Sequence, residues 1–147
     1  MTERRLQPPD GNPPPASVPI GDGATLQLEP LAREICRQYA REFPDEGERY
    51  GKAWRAWCIH DNQHVLSWAV DSLEGYLDMH HEVAWLARVL EARDFPLARL
   101  ARSLDLAAGV TRRRVAGDPG KSLAAVLDDA AAFVRSRDTF LDARDQR

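Results

Sequence analysis

From Pro30 onward the apolar positions recur at helical spacing, and no stretch alternates with the two-residue period of a strand. Leu31, Ile35, Tyr39 and Phe43 follow one another at four-residue intervals, the stripe of a first helix that begins at Pro30 and stops before Pro44. Asp45 with Glu48 three residues on reads as a capping box. The second helix it opens is predicted to run from Glu46 to about Leu73 and to end at Gly75. A third is predicted from Asp78 as N-cap to Arg93, with Val83, Leu86, Ala87 and Leu90 facing inward. The fourth opens at Asp94-Phe95-Pro96 and carries Leu97, Leu100, Ala101, Leu104 and Ala108 until Gly117, Pro119 and Gly120 interrupt it. A fifth covers about Ser122 to Ala143, with Leu123, Val126, Leu127, Ala130, Phe133 and Val134 on its core face. No period repeats, so the chain is not a solenoid. The fold class that follows is all-α, about five helices in a bundle or a globin-like packing.

The first 27 residues break this pattern. Seven of the 10 prolines lie at or before Pro30, with Gly11, Gly21 and Gly23 between them. Such a stretch has few large apolar groups to offset its ordering entropy, so residues 1–27 are expected to be a disordered Pro/Gly-rich tail. Residues 28–147 are expected to form a single helical domain. The Pro13-Pro14-Pro15 run suits a polyproline docking segment, but a plain flexible leader is the simpler reading.

Composition narrows the class. The chain has 147 residues, 44% hydrophobic and 29% charged, which is the balance of a globular domain. A formal charge of -3 argues against general binding of polyanions, nucleic acid included. No apolar run reaches the roughly 18 residues of a membrane span, and no signal sequence follows Arg4 and Arg5, so a cytoplasmic protein without membrane contact is expected. Two cysteines, Cys36 and Cys58, are too few for a disulfide scaffold, and Cys58 reads as a small core residue.

The candidate chemistry lies on the second helix. At 100° per residue, Tyr50, Trp54, Trp57, Cys58, His64, Val65 and Trp68 all fall within about 60° of Asp61. Ile59, Leu66, Val70 and Leu73 form a second apolar surface opposite, so the helix is expected to be central. A carboxylate on an inward face must be paired or protonated, and His64, three residues on, is its nearest local partner. Arg33, Arg37 or Arg88 would serve as well. The bland account is a satisfied buried network that holds helix register. The functional account is a pocket walled by Trp54, Trp57 and Trp68, joined by Trp85, with Asp61 and His64 as its polar groups.

Other chemistries have weaker support. His60 and His64 share a helical face at the i, i+4 spacing of helical zinc ligands. Asp61-x-x-His64 and Asp78-x-x-His81 resemble the local unit of di-iron sites, without the bridging glutamates. Haem needs one imidazole in an apolar pocket, and His60, His64, His80 and His81 qualify by type alone. Gly117-Asp118-Pro119-Gly120-Lys121-Ser122 looks like the end of a phosphate-binding loop, yet Val115 stands where a glycine is required and no strand precedes it. It reads as a turn between helices. Residues 100–114 faintly resemble a helix-turn-helix ending in Arg112, Arg113 and Arg114, but Asp105 occupies the turn position and the arginines also suit a helix C-terminus. No nucleophile motif appears, so the reading leans away from an enzyme.

The expectation is a non-catalytic sensor or regulatory module that binds a small apolar or aromatic ligand, or a protein partner, at the Trp-lined face around Asp61 and His64. No cofactor is favoured. The alternatives are a haem- or metal-binding protein or enzyme using His60, His64 and Asp61, and a DNA-binding regulator acting through Arg112–Arg114. The leucines and alanines of the fifth helix suit a homodimer.

Overall fold

The computed structural model describes residues 9, 13–21 and 23–141. Among them, two short strands precede six helices: β1 (Ser17–Pro19), β2 (Thr25–Gln27), α1 (Leu28–Glu42), α2 (Glu46–Tyr50), α3 (Trp54–Leu73), α4 (Met79–Ala92), α5 (Leu97–Arg114) and α6 (Gly117–Arg135). The protein is mostly helical, as the apolar spacing predicts. It divides into two compact units, Met1–Ser67 and Trp68–Arg147, and the division falls inside α3.

The first unit corrects the reading of residues 17–27 as an unordered tail. β1 and β2 pair antiparallel, Val18 opposite Leu26, and these two side chains are buried while their strand neighbours face out. That alternation is only three residues long on each strand, too short to register against the proline and glycine around it. Gly21 and Gly23 turn the chain with φ of 88° and 76°, a region closed to most side chains. Leu28 then donates its backbone N–H to Ala16, carrying the ladder into α1. The proline run is also engaged by its own chain, since Gln63 donates to the Pro15 carbonyl at 3.2 Å. Residues 1–8, 10–12 and 22 of the predicted tail lie outside the described residues.

Helix α1 starts two residues before Pro30, which falls in the first turn, where a missing N–H breaks no intrahelical bond. Leu28, Leu31, Ala32, Ile35, Cys36 and Tyr39 are buried. The long second helix is in fact two. Gly51, at φ 85°, stops α2 after five residues, and α3 begins at Trp54. The predicted capping box does not form. Asp45 makes no side-chain cap and lies 3.7 Å from Arg49. Glu46 is instead buried at 2% exposure, accepting a 2.8 Å hydrogen bond from the Tyr39 hydroxyl. A carboxylate so placed is retained by its bonded partners.

In the second unit Asp78 caps α4 as predicted, accepting from the His80 N–H at 3.0 Å. Helices α5 and α6 form an antiparallel hairpin joined by Val115 and Ala116. Two ion pairs mark its register: Asp105 with Arg135 at 2.5 Å, and Arg112 with Asp128 at 2.7 Å. Gly117 takes φ 71° at the start of α6, and Gly120-Lys121-Ser122 lie inside that helix rather than in the predicted turn, so α6 begins five residues before Ser122. α4 packs on α6 through His80, whose ring stacks on Phe133 at 4.2 Å and whose Nε2 lies 2.6 Å from Asp129. The fifth predicted helix ends at Arg135 rather than near 143, and residues 142–147 lie outside the described part. The chain that follows it folds back. Phe140 is fully buried, and Glu91 accepts its N–H at 2.7 Å and the Thr139 hydroxyl at 2.6 Å.

Candidate functional site

The stripe predicted on α3 exists as a helical row, but Val65 is its one buried member on that helix, while Leu66 and Val70 of the predicted second apolar surface are buried as expected. Asn62, Gln63, Val65, Leu66, Ser67, Ala69 and Val70 are buried, whereas Trp54, Trp57, Asp61, His64 and Trp68 are only partly so. The face with the largest rings is therefore the more accessible one, and two amides point inward. Both inward amides have partners. Asn62 donates 2.9 Å to the Cys58 carbonyl, and its amide nitrogen lies 3.7 Å from Cys36 Sγ and 3.6 Å from Cys58 Sγ. Gln63 is held by the Pro15 carbonyl. Inward amides satisfied in this way cost little, and tryptophan tolerates a half-buried position because one edge of the indole is polar.

Asp61 pairs with His60 and also acts electrostatically on His64. Its Oδ1 lies 3.1 Å from His60 Nδ1, and the two side chains are 28% and 19% exposed. Residues adjacent in sequence diverge by 100° on a helix, so this pairing depends on the aspartate turning toward its neighbour. His60 also bridges two rings. It meets Trp57 edge-on at 5.1 Å and His64 edge-on at 4.8 Å, which makes a continuous Trp57–His60–His64 row with a carboxylate on its central member. Burial pushes the His64 pKa below its usual value of 6.5, the neighbouring His60 adds to this, and Asp61 opposes it. His64 is thus biased toward the neutral imidazole, with both donor and acceptor character.

The remaining tryptophans have their own partners. Trp54 lies 6.1 Å from Tyr39 of α1 and is covered by the Arg55 guanidinium at 5.1 Å. In the second unit Trp68 and Trp85 meet edge-on at 6.4 Å, and Trp85 is 50% exposed. Tyr76, in the turn between α3 and α4, is 79% exposed.

Cys36 and Cys58 are joined by a disulfide with Cα atoms 6.1 Å apart, so Cys58 is not a free core thiol. The two cysteines stand 22 positions apart in the chain, and no spacing rule links them.

The other candidate chemistries meet specific competitors. Among the described residues no three His, Cys, Asp or Glu side chains gather as a metal-ligand set. Asp78 is engaged as a helix cap and His80 is engaged by Asp129 and Phe133. His81 is exposed. Arg112, Arg113 and Arg114 are exposed at the end of α5, but Arg112 is bound to Asp128. No helix among the described residues is long and apolar enough to cross a membrane.

No protein family matches the chain, no curated protein resembles it in sequence, and no solved structure matches it.

Proposed function

We propose that the protein is a non-catalytic sensor or regulatory module whose first unit binds a small aromatic ligand on the accessible face of α3. The observation that supports this is the Trp57–His60–His64 row with Asp61 against His60. Edge and face positions on such a row suit a flat apolar molecule, and the half-buried imidazoles and carboxylate supply a few orienting polar groups. A neutral His64 offers a hydrogen bond without the desolvation cost of a cation. The half-exposed Trp85 of the second unit, with Trp68 edge-on to it, is the surface offered to a protein partner. A cytoplasmic location belongs to the same proposal.

Tryptophan emission of the full chain, titrated with indole, phenol and small aromatic amines, tests the ligand reading. We expect saturable quenching by at least one class, lost in His64→Ala and weakened in Asp61→Asn. Emission that stays unchanged across the panel, with wild-type folding by circular dichroism, removes it.

A further inference from the structure

The disulfide is asymmetric, and that asymmetry has chemical consequences. Cys36 is completely buried in α1, whereas Cys58, in the first turns of α3, is only partly so. Only Cys58 of the two has any solvent exposure, so an external thiol approaches the bond from its side. The amide of Asn62, itself 6% exposed, lies against both sulfurs, with its nitrogen 3.7 Å from Cys36 Sγ and 3.6 Å from Cys58 Sγ, so it serves whichever of them departs, Cys36 on reduction. An N–H donor beside a sulfur favours its anionic form, the form in which it must depart. We propose that Cys36–Cys58 is a thiol–disulfide exchange site, at which a low-molecular-weight thiol of the glutathione class is received on Cys58 with Asn62 as the positioning residue for the departing Cys36.

The electron pair of the incoming thiolate forms a bond to Cys58 Sγ. The Cys36–Cys58 bond breaks, and Cys36 leaves as a thiolate and takes up a proton. A second equivalent of thiol then attacks the external sulfur of the mixed disulfide, releasing the Cys58 thiolate and a small-molecule disulfide. Two electrons pass from the thiols to the protein, and the reverse sequence with the small disulfide as oxidant restores the bond. In a reducing compartment such bonds are transient or sensing rather than permanent.

The bond also clasps one joint of the first unit. One turn after Cys36, Tyr39 lies 6.1 Å from Trp54, which sits one turn before Cys58. Between the two cysteines the chain is interrupted at Gly51, so no continuous helix braces α1 to α3. Exchange removes the covalent half of the clasp and leaves the ring contact, directly beside Trp57 of the aromatic row. This inference does not depend on the row binding a ligand, because it is read from the sulfurs themselves.

The test treats the oxidised full chain with reduced glutathione under native conditions, quenches with acid and maps the adduct by peptide mass. We expect glutathione on Cys58 with Cys36 as the alkylatable thiol, and a shift in tryptophan emission that follows adduct formation. Asn62→Leu is expected to slow attack about tenfold in the folded protein and not in urea, the loss of about one hydrogen bond. A purely structural defect would instead open the packing and speed attack. Resistance to glutathione until denaturant is added, an adduct formed first on Cys36, or two alkylatable thiols in the oxidised protein would each overturn the proposal. An adduct on Cys58 with unchanged emission would overturn the link to the clasp.

Discussion

Thr111 faces the interior of the second unit at 0% exposure, and its hydroxyl has no hydrogen-bond partner among the described residues. A buried hydroxyl left unpaired forfeits its solvation without compensation. Thr111→Val keeps the shape and removes the polar atom, so we expect it to stabilise the protein by about 1–2 kcal/mol, read as a higher urea midpoint at unchanged slope. Glu46 gives the opposite lesson. It is as deeply buried, but it holds the Tyr39 hydroxyl, and the same substitution logic does not extend to it. Neither residue could be placed by sequence pattern. Glu46 stood in the predicted first turn of a helix, where acidic side chains ordinarily face solvent and complement the dipole. Helical spacing brings His64 to Asp61, and the electrostatic effect of Asp61 on His64 agrees with it, but the close pair with His60 is not legible, because an adjacent residue is reached only when the side chain rotates.

At the scale of elements, Gly120 decides how α5 meets α6. A Cβ built there would lie 2.0 Å from the Val115 carbonyl oxygen, an overlap with backbone that no side-chain rotation relieves. Replacing glycine by alanine within a helix ordinarily gains about 0.5–1 kcal/mol. Here the sign inverts, and Gly120→Ala is expected to cost about 1–3 kcal/mol, measured by thermal or urea unfolding followed in the far ultraviolet. The α1–α3 joint depends on a cross-link instead. The 22-residue separation of Cys36 and Cys58 implies about 3 kcal/mol from restricting the unfolded chain. The double variant Cys36→Ala, Cys58→Ala should lose about that much in a urea titration, and wild type in strong reductant should approach it. The predicted single helix over residues 46–73 failed at one residue, since the apolar periodicity continues on both sides of Gly51 and carries no record of its φ of 85°.

Across the whole molecule, acid should act in two stages. His64 titrates below its usual 6.5 in the folded protein because burial disfavours the imidazolium, so the unfolded chain binds that proton more readily. The resulting loss of stability begins as pH falls below 6.5 and grows until the folded pKa is reached. Asp105 also titrates below its usual value, chiefly through its hydrogen bonds from Arg135, so its contribution is full above 3.8 and disappears as pH falls through the lowered value. Arg135 is half exposed, and solvent screening limits that pair to about 1 kcal/mol. Between pH 7.5 and 5.5 the wild type should therefore lose more stability than His64→Gln, whereas below pH 4 both should fall together. Urea midpoints of the two proteins at these pH values check the order.

The helices themselves were written in the chain. An α-helix closes its hydrogen bonds within a few residues, so the recurrence of Leu31, Ile35 and Tyr39, or of Leu100, Leu104 and Ala108, together with Asp78 as a cap, was enough to locate α1, α4, α5 and the core face of α6. Which side of α3 turns inward, which histidine holds Asp61, and which cysteine meets which are contacts of another kind. They join residues as distant as Cys36 and Cys58, or His80 and Asp129, and depend on the position of one element against another. Periodicity defines a face but not what lies opposite it, and on α3 the buried side carries two paired amides among Val65, Leu66, Ala69 and Val70.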